Sequence, residues 1–169
     1  MVAETLSQSP LALGATNGLS RNLKIWNGYY EIAANVEDGD IFELGHIPAN
    51  SVVVACAFVA DDLDTGTETL DMDVGWAANG TSAAATWKDP LTGETLTDAG
   101  NAASAAGLIN SGVLTGDGIA ELHTGNQRLQ IYVDPKYFAA DTKIQIEANA
   151  AANAGGTGTV RVYLFYFMT

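Results

Sequence analysis

The densest set of oxygen ligands in this sequence is Asp61, Asp62, Asp64 and Glu68, all inside the run DDLDTGTE. Calcium takes several oxygens from a single loop, so this run is the weak calcium candidate of the chain. The EF-hand spacing fails, because Gly66 stands where a third Asp or Asn should be. A solvated acidic turn is the plainer reading. Asp, Thr and Gly are the residues that bond their own backbone or accept unusual dihedrals in turns. Asp71 and Asp73 follow on a strand that alternates apolar and polar, and they extend the acidic surface.

Other reactive side chains are scattered. His46 and His123 are far apart in sequence, without a ligand-spaced partner. Cys56 is the single cysteine, so an intrachain disulfide is excluded. It lies in the apolar run 52–59 and reads as a small buried residue with no basic neighbour to activate it. The run Gly112-Val113-Leu114-Thr115-Gly116-Asp117-Gly118 has glycines but no Lys, and reads as a loop and not a phosphate cradle. No nucleophile elbow is present. Trp26, Tyr29 and Tyr30 are a possible sugar-stacking group, but core or interface packing is the simpler use of such rings. The expectation is a protein with no catalytic residues, no cofactor and no enzymatic activity.

Composition narrows the partners. The chain has 169 residues and a formal charge of −13, with seven Lys and Arg against twenty Asp and Glu. Such a chain repels phosphate backbones and anionic membrane surfaces, so neither nucleic acid nor membrane is expected as a partner. No signal-peptide pattern or apolar run of membrane-spanning length is seen, so synthesis in the host cytoplasm is expected.

The elements that position these residues read as sheet. Residues 1–22 lack sustained periodicity and are expected to form an extended N-terminal arm that packs on a neighbouring chain or on its own body. Residues 23–169 are expected to form the folded domain. Leu23–Ile25 and Tyr29–Ala33 read as short strands broken by Asn27-Gly28, and Ile41–Gly45 as another. The apolar run Val52–Ala60 reads as a strand covered on both faces. Leu70, Met72, Val74 and Trp76 share one face of the next strand. An Ala- and Thr-rich stretch follows, anchored by Trp87. In it Thr97 or Asp98 is placed to cap a short helix over 99–108. Strands are then expected near Ile119–Leu122, Arg128–Val133, Lys143–Ala148 and Thr159–Met168, with 134–141 as a connection. In the last strand Val160, Val162, Leu164, Tyr166 and Met168 share one face, and Arg161, Tyr163, Phe165 and Phe167 the other. The rings on that second face need a cover. The pattern gives an all-β antiparallel β-sandwich, jelly-roll-like, of about eight strands, with at most one short helix.

The order of several segments resembles small β-sandwich virion structural proteins of tailed bacteriophages, of the head decoration or cement kind. The matching segments are Ile47-Pro48-Ala49, Asp61-Asp62-Leu63-Asp64-Thr65-Gly66, and Leu70-Asp71-Met72-Asp73-Val74-Gly75. Ala140-Asp141-Thr142-Lys143-Ile144-Gln145-Ile146 and Gly155-Gly156-Thr157-Gly158-Thr159-Val160 complete them. The resemblance runs from Leu23 to Thr169 and leaves out the arm. It implies a non-enzymatic capsid-surface protein that binds the major capsid protein and copies of itself, with a homotrimer expected. A tail- or fibre-associated adhesion or receptor-binding protein is the alternative. On this basis Leu6, Leu11, Leu13, Ile25 and Trp26 are the expected arm contacts, and Tyr163, Phe165 and Phe167 the expected subunit interface.

Overall fold

The computed structural model describes residues 11–12, 23–61, 63–65, 69–82, 84–90, 92–109 and 127–169. Among them the strands are β1 (Leu11–Ala12), β2 (Lys24–Ile32), β3 (Ile41–Ile47), β4 (Ser51–Ala60), β5 (Asp71–Trp76) and β6 (Thr86–Lys88). They continue with β7 (Thr95–Thr97), β8 (Ser104–Ile109), β9 (Gln127–Phe138), β10 (Thr142–Ala150) and β11 (Gly158–Met168). A five-stranded sheet runs β1-β2-β11-β4-β9, and a four-stranded sheet runs β3-β10-β5-β8. The β6–β7 hairpin stands apart as a small third sheet.

The pairing is nested. β2 pairs with β11, β3 with β10, β4 with β9 and β5 with β8, all antiparallel. The chain is therefore one long double-stranded ribbon rolled up, and the β11–β4 and β10–β5 ladders close the roll. Eight strands in two sheets with this connectivity make a jelly roll, the architecture expected from the turn spacing. The core lies between the sheets. Val160, Val162, Leu164 and Tyr166 of β11 are all sealed, as are Ile144 and Ile146 of β10 and Phe42 and Leu44 of β3. Each such apolar side chain contributes about 1.5–3 kcal/mol on burial.

Four expectations are corrected. β2 is one continuous strand through Asn27-Gly28, because Gly28 leaves the space in which the Trp26 indole and Leu44 pack. The capped helix over 99–108 is a single 3₁₀ turn, Ala99–Asn101, followed by strand β8. Alanine's helix preference gives way there to close packing. Gly75 of β5 lies against the backbone of Ser104 and Ala105, and Gly107 lies under the Trp76 ring. β9 extends through Pro135 to Phe138, with a register shift opposite Val53–Ala55 that accommodates the proline at a sheet edge. β4 is dry on its core side at Cys56, Phe58 and Ala60, but Ala55, Ala57 and Val59 on its outer side are only half-buried.

The insertion between β5 and β8 is pinned by Asp98, which is 3% exposed. Its carboxylate accepts the N–H groups of Gly100 (3.0 Å) and Ala139 (3.1 Å), the Asn79 amide (3.2 Å) and the Thr81 hydroxyl. One residue thus caps the 3₁₀ turn and ties the loop after β5 to the end of β9. The Trp76 indole N–H reaches the carbonyls of Ala99 and Ala102, and its ring meets Phe138 edge-on at 5.1 Å. Substituting Gly107→Ala drives a methyl group into the Trp76 ring. A loss of about 1–3 kcal/mol is expected, read as a lower urea midpoint with an unchanged slope.

Candidate docking surface

The acidic run was the first place to look for chemistry, and the structure gives it a different role. Asp64 is 2% exposed and turned inward. Its Oδ2 accepts the N–H groups of Thr69 (2.8 Å), Leu70 (3.1 Å) and Asn153 (3.2 Å), and its Oδ1 that of Ala154 (3.2 Å). Those donors sit on both sides of the turn and on the β10–β11 connection, where Asp64 also bridges Gly155. Burial alone would raise the carboxyl pKa. The backbone donors outweigh it and hold the group well below the usual Asp range. Asp64 is thus not a solvated turn residue but a clamp between two loops. Asp61 serves the same connection by accepting the Thr159 N–H at 2.8 Å. Asp62 and Glu68 lie outside the described residues, as do His123, the 112–118 loop and the strand expected at 119–122. Among the described residues no three His, Cys, Asp or Glu side chains gather as a metal site. Cys56 is sealed in the core, and burial pushes its thiol pKa up.

The informative feature is the contrast between the outer faces of the two sheets. Cross-strand partners share a face, so the ladders place residues in rows. On the five-stranded sheet one row runs Ile25, Phe165, Ala55. The next runs Asn27, Tyr163, Ala57, and the third Tyr29, Arg161, Val59, with Arg128 opposite Val59 in the ladder. These described side chains are half-buried, and the Arg161 guanidinium lies 5.1 Å from the centre of the Tyr29 ring. Rings, small aliphatics and arginine with few acids form the composition of the energetic centre of a protein interface. On the four-stranded sheet the rows are Glu43, Gln145, Gly75 and Ile41, Glu147, Asp73. Lys143 on that face is paired with Glu43 at 2.7 Å. The five-stranded sheet thus turns rings and arginine outward, whereas the four-stranded sheet carries half-buried Glu43 and Glu147 beside buried Asp73 and Gln145, with Ile41 exposed at its edge.

The expected contact residues divide accordingly. Tyr163, Phe165 and Ile25 come together in the centre of the aromatic face. Phe167 is covered by its own chain, with Trp87 of β6 packed against it at 5.7 Å and against Tyr137 at 6.5 Å. Trp26, expected as an arm contact, is instead 1% exposed and part of the core between the sheets. Leu11 pairs with Ile25 through β1, while Leu6 and Leu13 lie outside the described residues. Arg161 and Tyr29 were not on the sequence-derived list of contacts. The parity of Arg161 with Tyr163 and Phe165 was visible in the last strand, whereas that of Tyr29 appears only once β2 is known to pair with β11.

No family model and no curated protein matches this chain. Among solved structures, it is similar over its whole length to a chain of the cyanophage Pam1 capsid asymmetric unit. The likeness covers 100% of both chains at 20% identity, with a TM-score of 0.59. It is also similar to a chain in the capsid of Ralstonia phage GP4, covering 93% of this chain and 91% of that one at 20% identity, with a TM-score of 0.58. These likenesses establish a shared fold.

The clamp carries a prediction. Asp64→Asn keeps the shape but removes the charge and places an NH₂ among donors. A loss of about 2–4 kcal/mol is expected at neutral pH in urea titration. Because the native carboxyl pKa is depressed, the stabilisation is full above about pH 4 and is lost as pH falls below the ordinary Asp value. The gap between wild type and variant therefore narrows in acid and is constant between pH 5 and 7, on the order of that same 2–4 kcal/mol.

Proposed function

We propose that this chain is a structural protein of a tailed-phage virion. In this reading it is a decoration protein on the capsid surface, binding the major capsid protein and copies of itself and catalysing nothing. The observation that carries the reading is the outer face of the five-stranded sheet, where Ile25, Tyr29, Arg161, Tyr163 and Phe165 stand in aligned rows. That face is the docking side. The fold shared with chains in two phage capsids supports the same reading. Stabilisation is mechanical. Each contact buries apolar area worth about 25 cal/mol per Å² before association costs are subtracted, and repetition over a shell multiplies modest contacts.

The test is binding to phage heads that lack the protein, followed by co-sedimentation. Wild type is expected to saturate at many copies per head. Phe165→Asp, which places a carboxylate in the middle of the aromatic face, should weaken binding by about 100-fold or more. Glu147→Lys, on the opposite face, should leave it within about twofold. Equal binding by both variants, binding only to tails, or no binding to heads would sink this assignment.

A further inference from the structure

The charges of this chain are not spread evenly over its two sheets. Strands β2, β4, β9 and β11 hold Lys24, Arg128, Lys136 and Arg161 against Glu31 and Asp134. The whole chain has seven Lys and Arg against twenty Asp and Glu, so these strands are the basic island of an acidic protein. Arg161 holds the most central place among the four. It lies on β11, an interior strand, with Tyr29 of β2 on one side and Val59 of β4 on the other. Tyr163 is two residues along on the same face, between Asn27 and Ala57. Arg161 is half-buried, and its guanidinium lies 5.1 Å from the centre of the Tyr29 ring. Among the described residues the ion pair is Lys143 with Glu43, on the other sheet, and no carboxylate pairs with Arg161. Glu31, two residues beyond Tyr29, is exposed and does not reach it. A ring stack satisfies the flat face of a guanidinium and leaves its N–H donors to water.

We propose that Arg161 is the seat for a carboxylate brought by the docking partner. The surface that this face fits is then apolar, with one Asp or Glu side chain set among its apolar groups. The inference rests on the proposed docking of this face to the capsid and names the chemistry of what it meets. The reason is desolvation. Arg161 stands in the same rows as the rings, so a partner closing over Tyr29 and Tyr163 strips water from the guanidinium. A guanidinium keeps its charge at every working pH, and an unpaired one is strongly disfavoured away from water. The partner must therefore supply both acceptors and a negative charge. A carboxylate does so through two parallel N–H···O bonds, a geometry that Arg matches and Lys does not. Tyr163, Val59 and Ala57 around the pair would exclude water from it, as near-neutral contacts do around an interface hot spot. The same pair gives orientation, because a misplaced partner leaves the guanidinium dry and unpaired. A phosphate polymer fits less well: a chain of charge −13 repels it along its length, whereas one carboxylate needs one guanidinium.

The test pairs a change in the protein with a change in the heads. Phage heads lacking the protein are used either untreated or with their surface carboxylates converted to neutral amides by carbodiimide and ethanolamine. On untreated heads Arg161→Gln should bind about 30-fold or more weakly than wild type, since truncating one side of a desolvated charge pair strands the other. On amidated heads wild type should fall to the level of Arg161→Gln, while Arg161→Gln itself should stay within about twofold of its binding to untreated heads. Amidation leaves this chain untouched, so that arm does not depend on how the variant folds. Arg161→Gln binding untreated heads like wild type, or both proteins losing the same factor on amidation, overturns the carboxylate. Duplex DNA fragments that displace wild type overturn it in favour of a phosphate ligand. Docking itself is read by Phe165→Asp, so a silent Arg161→Gln beside a weakened Phe165→Asp sinks this inference alone. A wild type that binds no heads sinks both.

Discussion

The nested ladder is the constraint on which the rest depends. β11 lies between β2 and β4, and β10 lies between β3 and β5. The two strands nearest the chain's end are therefore interior in both sheets. The core rows of β11 against β2 and β4 join residues more than a hundred positions apart, such as Leu164 with Trp26 and Cys56. Neither sheet has a local nucleus that contains most of its own contacts. Folding must close long loops before burial repays the entropy, which places the chain among slow, cooperative folders.

Against that topology, the polar clamps make sense as register devices. Asp64 joins residues 63–70 to residues 153–155, and Asp98 joins the β5–β8 insertion to the end of β9. Both are buried carboxylates whose oxygens accept backbone N–H groups from segments distant in sequence. Each fixes where one loop sits on another, something apolar packing alone does not specify. The unshifted β2–β11 ladder keeps Ile25, Tyr29, Tyr163 and Phe165 in aligned rows.

Much of this was legible in the sequence. Alternation located β5, β10 and β11, turn chemistry located their ends, and together they gave the sandwich. The rest depended on contacts between distant segments. An acidic run looks solvated because its partners, Asn153 and Ala154, lie 89 and 90 residues from Asp64. Trp26 looked available for contacts because nothing local reveals that Gly28 and Leu44 make room for it. The 99–108 stretch looked helical because the demand for small residues comes from Gly75 and Trp76 on the neighbouring strand. Parity told which residues share a face, but not that Trp87 would shield one of them, Phe167, from within the same chain.

The formal charge of −13 has a consequence wherever copies of this chain are gathered on one surface. A particle tiled with such a chain would wear a dense polyanionic coat. Such particles would hold a cloud of counterions and repel one another in suspension. They would also slide past anionic polymers, including spilled genomic DNA and acidic cell-envelope glycans. The excess carboxylates would then act as a colloidal stabiliser for the whole assembly.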